Sequence, residues 1–243
     1  MEQKICEILE NVEIANNTFK MVLTCSTKSI KRPGQFINVA LDNFYLRRPI
    51  SVCDYDKESI TIIYKILGEG TDAMAKLAPK TKLDCLLGLG NGFDIALDKE
   101  KALIIGGGVG VPPLYKLAIE LVKLGKTPQV VLGFNTAGDA ILIKEFLALG
   151  CKVTTATLDG SLGHKGFVTD VIDGVNYDYF YACGPLAMLK AVAKATNTSG
   201  QISMEERMGC GFGACMGCSI MTTNGAKRVC KEGPVFIKEE LVW

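Results

Sequence analysis

Cys210, Cys215, Cys218 and Cys230 follow the spacing Cys-x4-Cys-x2-Cys-x11-Cys, and the first three lie in the run Met208-Gly209-Cys210-Gly211-Phe212-Gly213-Ala214-Cys215-Met216-Gly217-Cys218. Residues 201–243 are too short and too cysteine-dense for a conventional core, so a bound metal centre is expected to organise them. A first gap of four and a second of two is the spacing with which thiolates hold a [2Fe–2S] cluster. Gly211, Gly213 and Gly217 suit the same purpose, because a loop that turns its amides toward inorganic sulfide needs close approach and positive φ. Structural zinc is the alternative. It also takes four thiolates, though usually as two Cys-x2–4-Cys knuckles.

The 243 residues suffice for one large or two modest domains. Formal net charge is +1, with charges mixed along the chain and no basic tract, so a nucleic-acid partner has no electrostatic support. The opening Met1-Glu2-Gln3-Lys4-Ile5 lacks the basic-then-apolar order of a secretory signal. The most apolar candidate span, Ala102 to Val122, is broken by glycines, two prolines, Lys116 and Glu120. Cys6, Cys25, Cys53, Cys85 and Cys151 are scattered through strand-like runs, where free thiols act as small hydrophobes. A soluble protein of the reducing cytoplasm is expected.

The fold class read from these patterns is α+β and multidomain. Residues 1–98 read as an antiparallel β-barrel, with strand-like runs at Thr18 to Leu23, Gln35 to Val39 and Ser59 to Tyr64, and one short helix from Thr71 to Leu77. The charged stretch Asp98-Lys99-Glu100-Lys101 marks a change of pattern. Residues 99–200 then alternate strand and helix: strands Ala102–Ile105, Gln129–Phe134, Lys152–Leu158 and Tyr179–Cys183, and helices Pro112–Leu124, Asp139–Leu149, Gly166–Ile172 and Pro185–Lys194. Such alternation predicts a doubly wound parallel sheet of the nucleotide-binding kind. Residues 201–243 form a small C-terminal cluster segment.

Three further motifs carry candidate chemistry. The turn Gly106-Gly107-Gly108-Val109-Gly110-Val111-Pro112 joins a strand to a helix, where glycines and free N–H groups admit a pyrophosphate; a tight turn without ligand is the alternative. In the barrel, Arg48 of Arg47-Arg48-Pro49-Ile50-Ser51 offers charge to a phosphate, and Ser51 a hydrogen bond to a flavin. Gly70 and Thr71 open a helix that presents further N–H groups. Cys183, in Tyr181-Ala182-Cys183-Gly184-Pro185, ends a strand where a nicotinamide could meet the flavin. Asp159 also follows a strand; an acid there suits a ribose 2′-hydroxyl and favours NAD over NADP. His164, the only histidine, is assigned no role.

Taken together, Arg48-Pro49-Ile50-Ser51, Gly106 to Pro112 and Cys183-Gly184-Pro185 resemble the flavin, nucleotide and Cys-Gly-Pro motifs of the ferredoxin-reductase superfamily. With the cysteine tail and Gly90-Asn91-Gly92-Phe93-Asp94, the order of motifs is similar to that of the electron-transfer subunits of class 1B dihydroorotate dehydrogenases. The resemblance implies FAD held by Arg48, Pro49, Ile50, Ser51, Tyr64, Lys65, Ile66, Gly70 and Thr71. It implies NAD at Gly107, Gly108, Gly110, Asp159 and Cys183, and a [2Fe–2S] cluster on Cys210, Cys215, Cys218 and Cys230. It also implies an FMN-containing catalytic subunit as partner, in a heterotetramer with two of each, serving pyrimidine biosynthesis. Where relatives at large carry an aromatic, this chain has Ile50. Flavin stacking is therefore expected from another residue. Two other readings use the same motifs: a ferredoxin:NADP transhydrogenase or sulfide dehydrogenase subunit, and a non-catalytic nucleotide module with structural zinc.

Overall fold

The computed structural model describes residues 1–97 and 99–243; Asp98, where the sequence ends the barrel domain, lies outside the described residues. Six strands, β1 (Glu2–Ala15), β2 (Thr18–Thr24), β3 (Phe36–Val39), β4 (Arg48–Tyr55), β5 (Ser59–Lys65) and β6 (Lys82–Leu89), close into a barrel in the order β1-β2-β5-β4-β3-β6. All of its pairings are antiparallel. Alternation sets the faces. In β6, Leu83, Cys85 and Leu87 point into a core shared with Ile8, Ile37, Val52, Ile62 and Tyr64, while the residues between them are more exposed. Closure matters because it leaves no unpaired strand edge. Helix α1 (Glu69–Ala75) interrupts the series where a helical pattern was expected, two residues earlier at its start.

A seven-stranded sheet follows. Its parallel part comprises β7 (Ala102–Gly107), β8 (Gln129–Phe134), β9 (Lys152–Thr157), β10 (His164–Lys165), β11 (Tyr179–Cys183) and β12 (Gly200–Ser203). A small hairpin, β13 (Ser219–Thr222) and β14 (Gly225–Arg228), precedes β15 (Val235–Ile237), which pairs antiparallel with β12. The strand order is β10-β9-β8-β7-β11-β12-β15, so the chain reverses its direction of growth between β7 and β11. Helices α2 (Pro112–Lys123), α3 (Ile143–Ala148), α4 (Thr169–Ile172) and α5 (Leu186–Ala195) make the connections. One core, with α2 and α3, joins this sheet to the outer face of the barrel through Cys53 and Ile63; the other holds α5, Phe36 of β3 and the tail residues Cys218, Val229 and Phe236.

Two features differ from expectation. The predicted helix from Asp139 begins only at Ile143, because Asp139 closes a turn with Thr136 and Leu142 takes a left-handed φ of 62°. The tail, expected to depend on its metal for order, also adds β15 to the large sheet and so shares its core. Among the described residues no helix is long and apolar enough to cross a membrane. Of the five scattered cysteines, Cys6, Cys53, Cys85 and Cys151 are buried and Cys25 is half-buried. Burial pushes the Cys53 and Cys151 thiols up, which keeps them protonated core filler.

Candidate functional site

The four tail cysteines come together as two pairs. The N–H groups of Ala214 and Cys215 donate to Cys210 Sγ at 3.2 and 3.5 Å, and Cys210 N–H donates to Cys215 Sγ at 3.5 Å. Cys230 N–H donates to Cys218 Sγ at 3.4 Å. Burial works against ionisation of Cys210, but the amides of Phe212, Cys215 and Ala214 outweigh it and hold this thiol down at about 6. Cys230 moves the other way, pushed up to about 12 by burial and by its Cys218 neighbour. Gly211 and Gly213, at φ of 77° and 93°, turn those amides inward.

This donor set fits a [2Fe–2S] group. Two thiolate pairs match two irons, and N–H groups aimed at sulfur offset the negative charge such a group carries. Arg228 braces the loop from the tail side, donating to the Gly213 carbonyl while its guanidinium pairs with Glu232.

On the barrel, the expected flavin motifs meet. Arg48 begins β4, and its guanidinium lies against the Cα of Gly70 in α1: a Cβ there would come within 1.9 Å of Arg48 Nε. The same guanidinium lies 4.7 Å from the Phe44 ring centroid. A larger residue at Gly70 would displace the Arg48 guanidinium from this position. The Thr71 hydroxyl is engaged locally, accepting from the N–H groups of Leu67 and Gly68. Along β4, Val52 faces the barrel core and half-buried Ile50 packs against it, while Cys53 faces the nucleotide sheet; period-2 alternation turns Pro49 and Ser51 the same way as Cys53. Tyr64 is only 2% exposed, sits in the barrel core and donates its hydroxyl to Asn11. Its ring is thereby removed from any cofactor. The Ile66 N–H donates to the Asn17 carbonyl. Of the Tyr64–Ile66 trio, the Lys65 side chain reaches outward, to Asp139 at 2.8 Å.

A cavity of about 530 Å³ opens beside the carboxyl ends of β7 and β8, lined by Gly107, Gly108, Asn135, Pro185 and Met188, with Lys65 from the barrel. Its place at the reversal of strand order is where open α/β sheets bind ligands. The glycines divide the work. Gly108, at φ 51°, has nothing within 4 Å of where a Cβ would stand, so it faces open space. Gly110 is packed instead: a Cβ would lie 2.4 Å from the Cys183 carbonyl oxygen and 2.5 Å from Gly184 Cα. The two motifs, distant in sequence, therefore fit each other. Burial pushes the Cys183 thiol up to about 12, against a hydrogen bond from Ser203.

Asp159 is exposed and accepts hydrogen bonds from the Ser161 N–H and hydroxyl. The acid that lines the cavity is a different one, Asp139, held below the usual carboxylate range by its hydrogen bond from Lys65, with Thr136 adding to it. Sequence reasoning passed over Asp139 because it was read as the start of a helix. Phe167, 64% exposed at the same cavity, was also missed; an aromatic directly after Gly166 in a glycine-rich loop was the available signal.

The two regions are held in register by polar staples. Asn91 donates to the carbonyls of Glu232 and Val235 at 2.9 and 2.7 Å and accepts from the Val235 N–H, sewing the barrel to the tail. Gln201 exchanges two hydrogen bonds with the Asp94 backbone. Lys116, 8% exposed, donates from α2 to Asp54 and to the Tyr55 carbonyl of the barrel.

Known proteins narrow the reading. Residues 205–242 match the family model described as the iron–sulfur cluster binding domain of dihydroorotate dehydrogenase B. The dihydroorotate dehydrogenase B (NAD(+)) electron transfer subunit of Fusobacterium nucleatum subsp. nucleatum is 41% identical, with 99% of each chain covered. That of Listeria monocytogenes serotype 4b is 42% identical, again over 99% of each. Among solved structures, an NADH-dependent reduced ferredoxin-NADP oxidoreductase superposes with a TM-score of 0.90 at 29% identity, covering 99% of this chain and 90% of that one. Phthalate dioxygenase reductase shares the fold, with a TM-score of 0.70 at 16% identity over 91% of this chain and 87% of its own. The cofactors of this architecture are FAD, NAD and a [2Fe–2S] cluster. With its cysteine tail and its likeness running the length of both chains, this chain belongs to the family of dihydroorotate dehydrogenase B electron transfer subunits.

Proposed function

We propose that this chain carries electrons from the FMN of a dihydroorotate-oxidising catalytic subunit to NAD+, in the cytoplasmic synthesis of pyrimidines. The observation that carries this reading is the paired arrangement of the four thiols, in a tail sewn to the barrel by Asn91. A bound flavin exchanges both hydrides and single electrons, and so links a nicotinamide to an iron–sulfur centre. The protein's part is to bind and orient. Cys210 and Cys215 hold one iron, Cys218 and Cys230 the other. Arg48 neutralises the FAD diphosphate beside Gly70 and Thr71, while Ser51 and the Tyr64–Ile66 backbone meet the ring system. Gly107 and Gly108 admit the dinucleotide, with Gly110 and Cys183 shaping the wall behind it.

In this reading residues 1–98 form the flavin domain, 99–200 the nucleotide domain and 201–243 the cluster segment, and two such chains join two catalytic subunits. No acid–base pair in this chain is needed, because proton abstraction from dihydroorotate belongs to the partner. The TM-score of 0.90 to a reduced ferredoxin-NADP oxidoreductase supports a second reading, in which reduced ferredoxin is the donor. Co-expression with a candidate FMN-bearing subunit decides between them. Copurification at two of each and NADH formation dependent on dihydroorotate are expected. A chain that ignores that subunit and takes electrons from ferredoxin would overturn the proposal. Cys215→Ala should abolish coupling to the partner while FAD stays bound; undiminished coupling contradicts the ligand assignment.

A further inference from the structure

Asn38 lies in the middle of β3, where neighbouring Ile37 and Val39 both point into the barrel core. By alternation its own side chain points out, yet it is only 1% exposed, because the cysteine loop covers it. Its Nδ2 donates to the carbonyl of Cys210 at 3.2 Å. Gly211 completes the fit: at φ 77° it sits so close that a Cβ would lie 2.4 Å from Asn38 Nδ2. The other amide atom, Oδ1, is buried with no hydrogen-bond partner among the described residues.

A polar side chain of this kind is not there for the barrel's own stability. Among the described residues its one hydrogen bond goes to the cysteine turn and none goes to the barrel, so replacing it takes a donor from the Cys210 carbonyl alone. What the amide does is reach across. Asn38 pairs in register with Pro49, next to Arg48 and two residues from Ser51, so one side of it is the flavin strand and the other is the Cys210 turn.

We propose that Asn38 is the positioning residue that sets the spacing between the flavin face of the barrel and the cluster loop. It does so by holding the Cys210 carbonyl, and with it the Cys210–Cys215 pair, against β3. The inference rests on the ligand and flavin assignments above. It adds that electron exchange between the two groups depends on one side-chain amide that binds neither.

The test uses the cofactor-loaded protein with Asn38→Leu. FAD content and the rate at which NADH bleaches the flavin should match wild type, since the nucleotide crevice is untouched, while the melting temperature falls modestly because the Cys210 carbonyl loses its donor. The g-values of the reduced cluster's paramagnetic resonance signal should shift, and the later phase of cluster reduction in stopped flow should slow. A purely structural role would lower the melt without moving the signal. If the leucine variant holds no iron, Asn38→Ser, which keeps a shorter polar group, is read in the same two ways. Unmoved g-values with a wild-type cluster phase overturn the inference, as does equal slowing of the flavin phase. A wild-type protein with no rhombic signal overturns the ligand assignment instead, so the two failures are told apart.

Discussion

Gly108 and Gly110 stand two positions apart in one turn and are glycines for different reasons. At Gly110 a methyl group would strike the backbone of Cys183 and Gly184, which cannot rotate away. Gly110→Ala should therefore cost about 1–3 kcal/mol through overpacking, read as a lowered melting temperature. At Gly108 the methyl would enter open space beside the cavity. Its left-handed φ of 51° costs an alanine roughly 1–2 kcal/mol, but the larger effect of Gly108→Ala should be a raised KM for NADH. Steady-state kinetics and a thermal melt on both variants check this division. From sequence the turn reads as one phosphate loop. Which glycine faces the cavity and which faces protein is decided by Cys183 and Gly184, more than seventy residues away.

Among the elements, the tail segment from β13 to β15 shows how a short stretch gains order from two sources. Part comes from the sheet, through β15 on β12. Part comes from Arg228, whose guanidinium and N–H both engage Glu232. That pairing holds the Glu232 carboxyl down at about 2, against an ordinary value of 4.5. A depressed carboxylate contributes stability that is fully present above its unfolded pKa and is lost as pH falls through the folded one. Loosening of the tail is thus expected between about pH 4.5 and about pH 2. Trp243, the only tryptophan, sits at the end of this segment, and its emission reports the change. Glu232→Gln should show the loosened signal already at neutral pH. A pH profile unchanged by that substitution would contradict the assignment.

For the whole molecule, function depends on keeping the barrel, the nucleotide sheet and the cysteine loop at fixed separations, and three staples do so from three directions. Asn91 is the one that grips the tail at Glu232 and Val235, where β15 begins. Asn91→Ala would leave the Glu232 and Val235 carbonyls and the Val235 N–H without partners, a cost of about 2–3 kcal/mol. The cluster should then be lost on heating before FAD is released, visible as separate bleaching of the two chromophores. Simultaneous loss would show that the staple does not act on the tail alone.

The cysteine spacing, the barrel-then-sheet order and the Arg48 and Gly107–Gly108 motifs are legible in the residues alone, because each is written in local spacing or period. The bounds of β8 and β11 match the expected strands to the residue, since a buried parallel strand is a continuous apolar run. The inward turn of Tyr64, the place of Asp139 rather than Asp159 at the cavity, and the hold of Asn38 on the Cys210 turn emerge with the assembled fold. Those outcomes depend on strand register and on contacts between residues far apart in the chain, and neither leaves a periodic trace in the residues themselves.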